Sequence, residues 1–149
     1  MLRPYNRDEL VAIGAPGGSS RRARGPRPRL DAQCWILREE SSTTRRDVEA
    51  WLNRHGIVVA RSMTFDGPDA VKRAVMAGLG IAIVSKLTVD EELKARRLIE
   101  LDLGLPLPVR DVYLVDHPQK HHGAACGAML RLLATTFTPS ASPSRPSDR

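Results

Sequence analysis

Between residues 35 and 96, short apolar runs alternate with stretches of helical periodicity, and this alternation constrains the fold more than any other feature of the sequence. After a short strand predicted at residues 10–13, strands and helices are predicted in turn at residues 35–38, 44–55, 58–65, 69–78, 81–84 and 88–96. Because the connections are short, this order predicts parallel strands joined by crossover helices, in an α/β fold. The unbroken apolar run at 81–84 is typical of a strand that is buried on both faces.

A polar turn at residues 41–44 joins the first predicted strand to its helix. Thr44 and Asp47 have the spacing of a capping box, and Thr88 and Glu91 repeat that spacing at the start of the third helix. A strand, a polar turn and a helix in this order direct backbone N–H groups and hydroxyls toward an anion. We therefore expect a candidate anion site at the turn.

Ligands of open α/β sheets bind beyond the carboxyl ends of the strands. Residues of three connections follow predicted strands in this way, and they form the candidate effector-binding set: Ser42, Thr43, Thr44, Gly67, Pro68, Val84 and Ser85. Helix capping is the alternative role for the three hydroxyls, and a simple helix start is the alternative for Gly67 and Pro68. Because parallel strand ends share one edge of a sheet, we expect these residues to cluster.

The charge of the chain is concentrated at its amino-terminal end. Residues 1–29 hold seven arginines and two acidic residues, a net charge of +5 out of +6 for the whole chain. Residues 17–34 are rich in Arg, Gly and Pro and predict a loop, with a basic arm on nucleic acid as the alternative. The remainder is nearly neutral, which argues against a basic nucleic-acid-binding face.

After residue 97 the pattern is less regular. Alternation at 98–103 predicts a strand with one exposed side or, as the alternative, an extended crossover. After a Gly- and Pro-rich break, an apolar run at 112–115 predicts another strand. A helix is predicted over about 123–137, with one face formed by Cys126, Met129, Leu130, Leu133 and Phe137. The polar tail at 138–149 is predicted to be disordered.

The sequence offers little support for catalysis. It contains no nucleophile elbow, phosphate loop or dinucleotide fingerprint. Adjacent residues of an extended chain point in opposite directions, so Glu39 and Glu40 do not form an acid/base pair. No tetrahedral ligand set is completed by the candidate metal ligands His117, His121, His122 and Cys126. We predict a protein that is not an enzyme and has neither a metal nor another cofactor.

Two cysteines make no disulfide framework, and no apolar segment has the length of a signal peptide core or a membrane span. We therefore expect a soluble cytoplasmic protein without a membrane partner.

Several stretches between residues 5 and 137 resemble the effector-binding domain of LysR-type transcriptional regulators. The residues 35–45, WILREESSTTR, resemble the I-x-R-E-x-G-S-G-T-R turn of the family, although Ser41 and Thr43 stand where that turn has glycine. A Cβ at these two positions is expected to restrict positive φ and to crowd a ligand. The other similar stretches are 8–16, 70–84, 98–101 and 112–115.

The resemblance implies the type II periplasmic-binding-protein fold, in which two α/β subdomains enclose a small-molecule effector. It implies an extension at 1–7, a near-complete Rossmann-like subdomain II at 8–97, and the return crossover, closing strand and helix of subdomain I at 98–137. The chain is then expected to be truncated, without the winged helix-turn-helix and the first part of subdomain I.

The resemblance also implies a function in transcription regulation. The expected partners are a small anionic effector, further copies of the chain through this domain, and DNA only through the helix-turn-helix of longer relatives. A stand-alone solute-binding protein of the same fold is the alternative.

Overall fold

The computed structural model describes residues 2–17, 29–115, 117, 119 and 123–136. The chain forms two compact units. We call Glu9–Val109 the central unit, and Met1–Asp8 with Arg110–Arg149 the terminal unit. Residues 98–109 therefore make most of their contacts within the central unit. The predicted boundary between subdomains after residue 97 concerns the family fold, and it stays a prediction.

The described residues contain six strands and four α-helices. The strands are β1 (Leu2–Gly14), β2 (Cys34–Arg38), β3 (Arg61–Phe65), β4 (Ala82–Ser85), β5 (Ile99–Glu100) and β6 (Val109–Val115). The helices are α1 (Thr43–Arg54), α2 (Gly67–Met76), α3 (Asp90–Lys94) and α4 (Ala124–Thr136), and 3₁₀ turns lie at Leu30–Ala32 and Lys86–Thr88. The predicted alternation of strand and helix is confirmed.

The strands of the central unit follow the order β3-β2-β4-β1-β5. β2 pairs with β3 in parallel, and a parallel bridge between Trp35 and Ile81 places β4 on the other side of β2. β1 runs antiparallel to both β4 and β5. The predicted parallel arrangement is confirmed for β2, β3 and β4, whereas the sequence did not indicate that the strand predicted at 10–13 runs antiparallel beside them.

Helices cover both faces of this sheet, so the core has two layers. Val48, Trp51 and Leu52 of α1 pack on one face, against residues such as Leu10, Trp35 and Ile83. Val71, Ala74 and Val75 of α2 pack on the other face, against residues such as Val11, Ile36 and Val84. The run at 81–84 is buried on both faces as predicted.

Several predicted boundaries were wrong by a few residues or more. β1 extends far beyond the predicted 10–13, β3 begins at Arg61 rather than 58, and β6 begins at Val109 rather than 112. Of the strand predicted at 98–103, only Ile99–Glu100 forms a strand, β5. The chain leaves the sheet after the Leu101 N–H donates to the Ala12 carbonyl. Leu101 and Leu103 are buried and Asp102 is exposed because the two leucines pack in the core cluster on one face of the sheet, and not because the segment is a strand.

Both predicted capping boxes were wrong. Ser42 is the N-cap of α1, and its hydroxyl accepts the Arg45 N–H at 3.4 Å, whereas Thr44 lies inside the first turn. Thr88 lies in a 3₁₀ turn and donates its hydroxyl to the Ser85 carbonyl at 2.7 Å. α3 begins two residues later, without a side-chain cap, and has only five residues instead of the predicted nine at 88–96.

Replacing Ser42 with alanine should lower the free energy of unfolding by about 1 kcal/mol, because the Arg45 N–H loses its acceptor. Thr43→Ala is the matched control, since Thr43 is exposed and follows the cap, and it should change stability by less than about 0.5 kcal/mol. Urea unfolding of the two variants checks this, and equal stabilities would contradict the assignment of the cap.

The predicted loop 17–34 is ordered where it enters β2. Leu30 is buried in a 3₁₀ turn, and its carbonyl accepts the indole N–H of Trp35 at 3.0 Å. This contact corrects the prediction of an irregular loop for residues 30–33. Residues 18–28 and the predicted tail at 138–149 lie outside the described part of the chain.

Within the terminal unit, β6 pairs with β1. The buried carboxylate of Asp8 forms an ion pair with the guanidinium of Arg110. Leu130 and Leu133 of α4 line a cavity of about 210 Å³ whose other lining residues include Tyr5 and Leu114. The predicted apolar face of α4 is therefore only partly right, because two of its predicted members, Cys126 and Met129, are exposed, and Phe137 is not described.

Candidate functional site

The carboxyl ends of β2, β3 and β4 lie at one edge of the central sheet, because the three strands are parallel. We call this the carboxyl edge. α1 and α2 begin there, directly after β2 and β3. All seven predicted binding residues follow or end these strands: Ser42, Thr43 and Thr44 after β2, Gly67 and Pro68 after β3, and Val84 and Ser85 at the end of β4.

Ser42 combines two roles at this edge. It is buried, and its oxygen accepts the Arg45 N–H as the cap of α1. A hydroxyl that accepts one hydrogen bond keeps its own hydrogen for donation. Helix geometry also leaves the N–H group of Thr43, the first residue of α1, without an intrahelical acceptor. The turn therefore offers donors of the kind that bind a carboxylate or a phosphate.

Ser41 and Thr43, which stand where the family turn has glycine, do not strain the backbone. Arg96, at φ +56°, is the sole non-glycine residue with a positive φ among those the structure describes. Ser41 and Thr43 therefore adopt ordinary conformations, and Thr43 is the first residue of α1. The expectation that a Cβ conflicts with a positive φ at these positions was wrong.

Arg45 connects the carboxyl ends of β2 and β3 to the first turn of α1 by hydrogen bonds. Its guanidinium donates to the Arg38 carbonyl at 3.0 Å and to the Thr64 hydroxyl at 3.4 Å, and it pairs with Glu49 one helical turn later. These contacts fix the first turn of α1 against β2 and β3. Arg45 was not among the predicted site residues, although it belongs to the motif that carries the family resemblance.

Glu39, directly after β2, lies against the start of α2. Its carboxylate accepts two bonds from the Arg38 guanidinium, at 2.7 and 2.6 Å, and one from the Gly67 N–H at 3.1 Å. The Arg38 bonds, followed by the Gly67 bond, lower the pKa of Glu39 from 4.5 to about 2. Glu39 is thus an anion at neutral pH, held at the N-terminus of a helix, where negative charge is favoured.

The depressed pKa of Glu39 makes the stability of the central unit depend on pH. Its hydrogen bonds contribute stability above the unfolded-state pKa, near 4.5, and that contribution is lost as the pH falls toward about 2. The difference in unfolding free energy between wild type and Glu39→Gln should therefore shrink between pH 6 and pH 3. Urea unfolding at both pH values measures it, with Glu40→Gln as the control. A difference that is constant with pH would contradict the assigned pKa.

The part of the chain that the structure describes contains no group of three His, Cys, Asp or Glu side chains able to hold a metal. His121 and His122 lie outside it. No helix among the described residues is long and apolar enough to cross a membrane.

Comparison with known proteins gives one consistent result. Residues 2–138 match the family model described as the LysR substrate binding domain. The chain is 38% identical over 120 residues to the HTH-type transcriptional regulator YeiE of Escherichia coli K12, covering 79% of this chain and 40% of that protein. It is 36% identical over 105 residues to the HTH-type transcriptional regulator CbbR of Rhodospirillum rubrum, covering 70% and 35%. The chain thus spans well under half the length of these relatives.

Solved structures show the same fold. The regulatory domain of CcmR from Synechocystis PCC6803, in complex with 2-PG, matches with a TM-score of 0.73 at 22% identity, over 91% of this chain and 66% of that one. The regulatory domain of CrgA from Neisseria meningitidis, a LysR-type regulator, matches with a TM-score of 0.71 at 16% identity, over 93% and 69%. The effector-binding domain of QuiR, in complex with shikimate, matches with a TM-score of 0.69 at 17% identity, over 91% and 64%.

Proposed function

We propose, from the premise that this chain belongs to the LysR family through its substrate-binding domain, that it binds a small-molecule effector and so serves transcription regulation. The observation that carries the proposal is the carboxyl edge, where a capped helix start follows a parallel strand. Ligands of open α/β sheets bind at such edges. Two structural relatives hold 2-PG and shikimate, which supports a small molecule as the ligand class.

The proposed effector carries an anionic group. The first turn of α1 contains no acidic residue and contains Arg45 and Arg46, so its surroundings favour negative charge. The Ser42 hydroxyl and the N–H of Thr43 are the proposed donors, while Thr44, Gly67, Pro68, Val84 and Ser85 complete the proposed site. Binding, rather than catalysis, is the proposed role of the domain.

The remaining proposals follow the family. The central unit corresponds to subdomain II, and DNA contact and self-association belong to assemblies that include the helix-turn-helix region of the longer relatives. Effector binding at the carboxyl edge is proposed as the signal that this domain passes to such an assembly.

Ligand-induced stabilisation tests the proposed function. A ligand that binds only the folded chain raises the unfolding free energy, by about 2.7 kcal/mol at a hundredfold excess over Kd. We expect at least one member of a panel of small carboxylates and phosphates, including shikimate and 2-PG, to raise the melting temperature in a concentration-dependent manner. If the whole panel leaves the melting temperature unchanged while the protein unfolds cooperatively, the proposal of an anionic effector is wrong.

The Ser42→Gly variant then tests whether the ligand that raises the melting temperature binds at Ser42. Glycine is an acceptable N-cap, so this change removes the hydroxyl at a stability cost of only a few tenths of a kcal/mol. We expect it to weaken binding of the active ligand about tenfold, the value of one hydrogen bond to a charged group. Asn53→Ala, at an exposed position near the other end of α1, is the matched control and should leave binding unchanged.

A further inference from the structure

Two helices begin at the carboxyl edge, but their N-termini differ in charge. The first turn of α1 carries no acidic residue. α2 has Asp66 at its N-cap and Asp69 in its first turn, and the Glu39 carboxylate accepts its Gly67 N–H. Three carboxylates therefore surround the start of α2 and repel an external anion there, whereas the first turn of α1 itself contributes no carboxylate.

The start of α2 also has few donors left to offer. Pro68, its second residue, has no N–H, and the Gly67 N–H is already bonded to Glu39 at 3.1 Å. The side chain of Asp66 makes no capping bond to α2, so Glu39 rather than Asp66 is the carboxylate that accepts an N–H of its first turn. Glu39 thus does at α2 what an anionic ligand does at an unoccupied helix start: it accepts an N–H group and places negative charge at the positive end of the helix dipole.

Contacts on its other side hold Glu39 in this position. The Arg38 guanidinium donates to both carboxylate oxygens of Glu39. The negative charge of Asp66 in turn favours the charged form of Arg38. The Arg38 carbonyl accepts a hydrogen bond from Arg45 of α1. The side chain of Glu39 is about one-quarter exposed, so it forms part of the surface that a ligand would meet.

We infer that Glu39 is a specificity-determining residue that fills the N-terminus of α2 as an internal anion and so directs the anionic group of the effector to the first turn of α1. This inference rests on the proposed function. It implies that the part of an effector that faces α2 is uncharged or cationic, which excludes a ligand that needs an anionic group at both helix starts.

Amide chemical shifts of the ¹⁵N-labelled chain, titrated with inorganic phosphate, test the inference. In wild type we expect shifts at Thr43 and Thr44 and none at Gly67. In Glu39→Gln we expect Gly67 to shift as well, with apparent affinity for phosphate roughly threefold tighter, as removal of one partly screened negative charge implies. Glu40→Gln, an equal change of charge at the exposed neighbouring position, should behave like wild type at Gly67.

The outcomes separate this inference from the proposed function. Phosphate shifts at Gly67 that are alike in wild type and Glu39→Gln would overturn the role of Glu39 and leave the anion site at the carboxyl edge standing. A Gly67 amide that stays unresponsive in a folded Glu39→Gln protein would also overturn it. If phosphate shifts none of the amides at 42–44 and 84–85 in either protein, the anion site itself fails, and the inference fails with it. Should Glu39→Gln not fold, the wild-type titration decides, because any phosphate response at Gly67 contradicts the inference.

Discussion

Replacing Gly80 with alanine should destabilise the central unit by about 3 kcal/mol. A Cβ at this position would lie 2.2 Å from the Cys34 carbonyl oxygen and 3.0 Å from its carbon. Both are backbone atoms of β2, and the same carbonyl accepts the Ile81 N–H at 2.9 Å, so neither partner can move without breaking the junction between β2 and β4. That junction aligns two of the three strand ends that form the carboxyl edge.

Gly78→Ala is the control for this prediction. Gly78 has φ +78°, and a Cβ there would meet no atom within 4 Å. Alanine at this position should therefore lower the unfolding free energy only by the strain of the left-handed conformation, about 1 kcal/mol. Urea unfolding followed by tryptophan fluorescence compares the two variants. If Gly80→Ala unfolds at the same urea concentration as Gly78→Ala, β2 and β4 do not approach each other as described.

Replacing Trp51 with alanine should cost about 4 kcal/mol, the range found for removal of a buried aromatic side chain. Trp51 is 1% exposed and lies in the core between α1 and the sheet. Its indole N–H donates to the Pro106 carbonyl at 2.7 Å, which links α1 to the segment that follows β5. If the wild type has the ordinary stability of a small domain, about 5–15 kcal/mol, the variant should retain only about 1–11 kcal/mol and unfold at a much lower urea concentration.

Trp51→Phe separates packing from the hydrogen bond. Phenylalanine keeps most of the apolar contact and removes the donor, so its cost should be about 1–2 kcal/mol. Thermal and urea unfolding of both variants measure the difference. Equal losses for alanine and phenylalanine would show that the hydrogen bond, rather than burial of the ring, holds α1 in place.

Local patterns predicted the elements that flank the carboxyl edge. The period of Val48, Trp51 and Leu52 identified α1, since one face of a helix is visible in a single stretch of sequence. The place of β1 between β4 and β5 was not predictable in the same way. Its pairing of Leu10 with Ser85 joins residues far apart in sequence, and periodicity carries no information on such partners.

The candidate site was predictable to a similar extent. The hydroxyl cluster and the family motif identified Ser42, Thr43 and Thr44, although the cap is Ser42 rather than Thr44, a difference that depends on backbone geometry. Glu39 belongs to the family motif, but its chemistry was considered only in an acid/base pair with its neighbour Glu40. Its actual partners are Arg38 and the N–H of Gly67, which lies 28 residues away, and only the pairing of β2 with β3 brings that group within reach.

The position of a bound effector in a crystal structure decides whether the carboxyl edge is the anion site. The crystal should contain the ligand of the panel that gives the largest rise in melting temperature. We expect an anionic group within hydrogen-bonding distance of the Ser42 hydroxyl or the Thr43 N–H, and no anionic group at Gly67. Ligand density that avoids the carboxyl edge, for example in the cavity lined by Leu130 and Leu133, would contradict it.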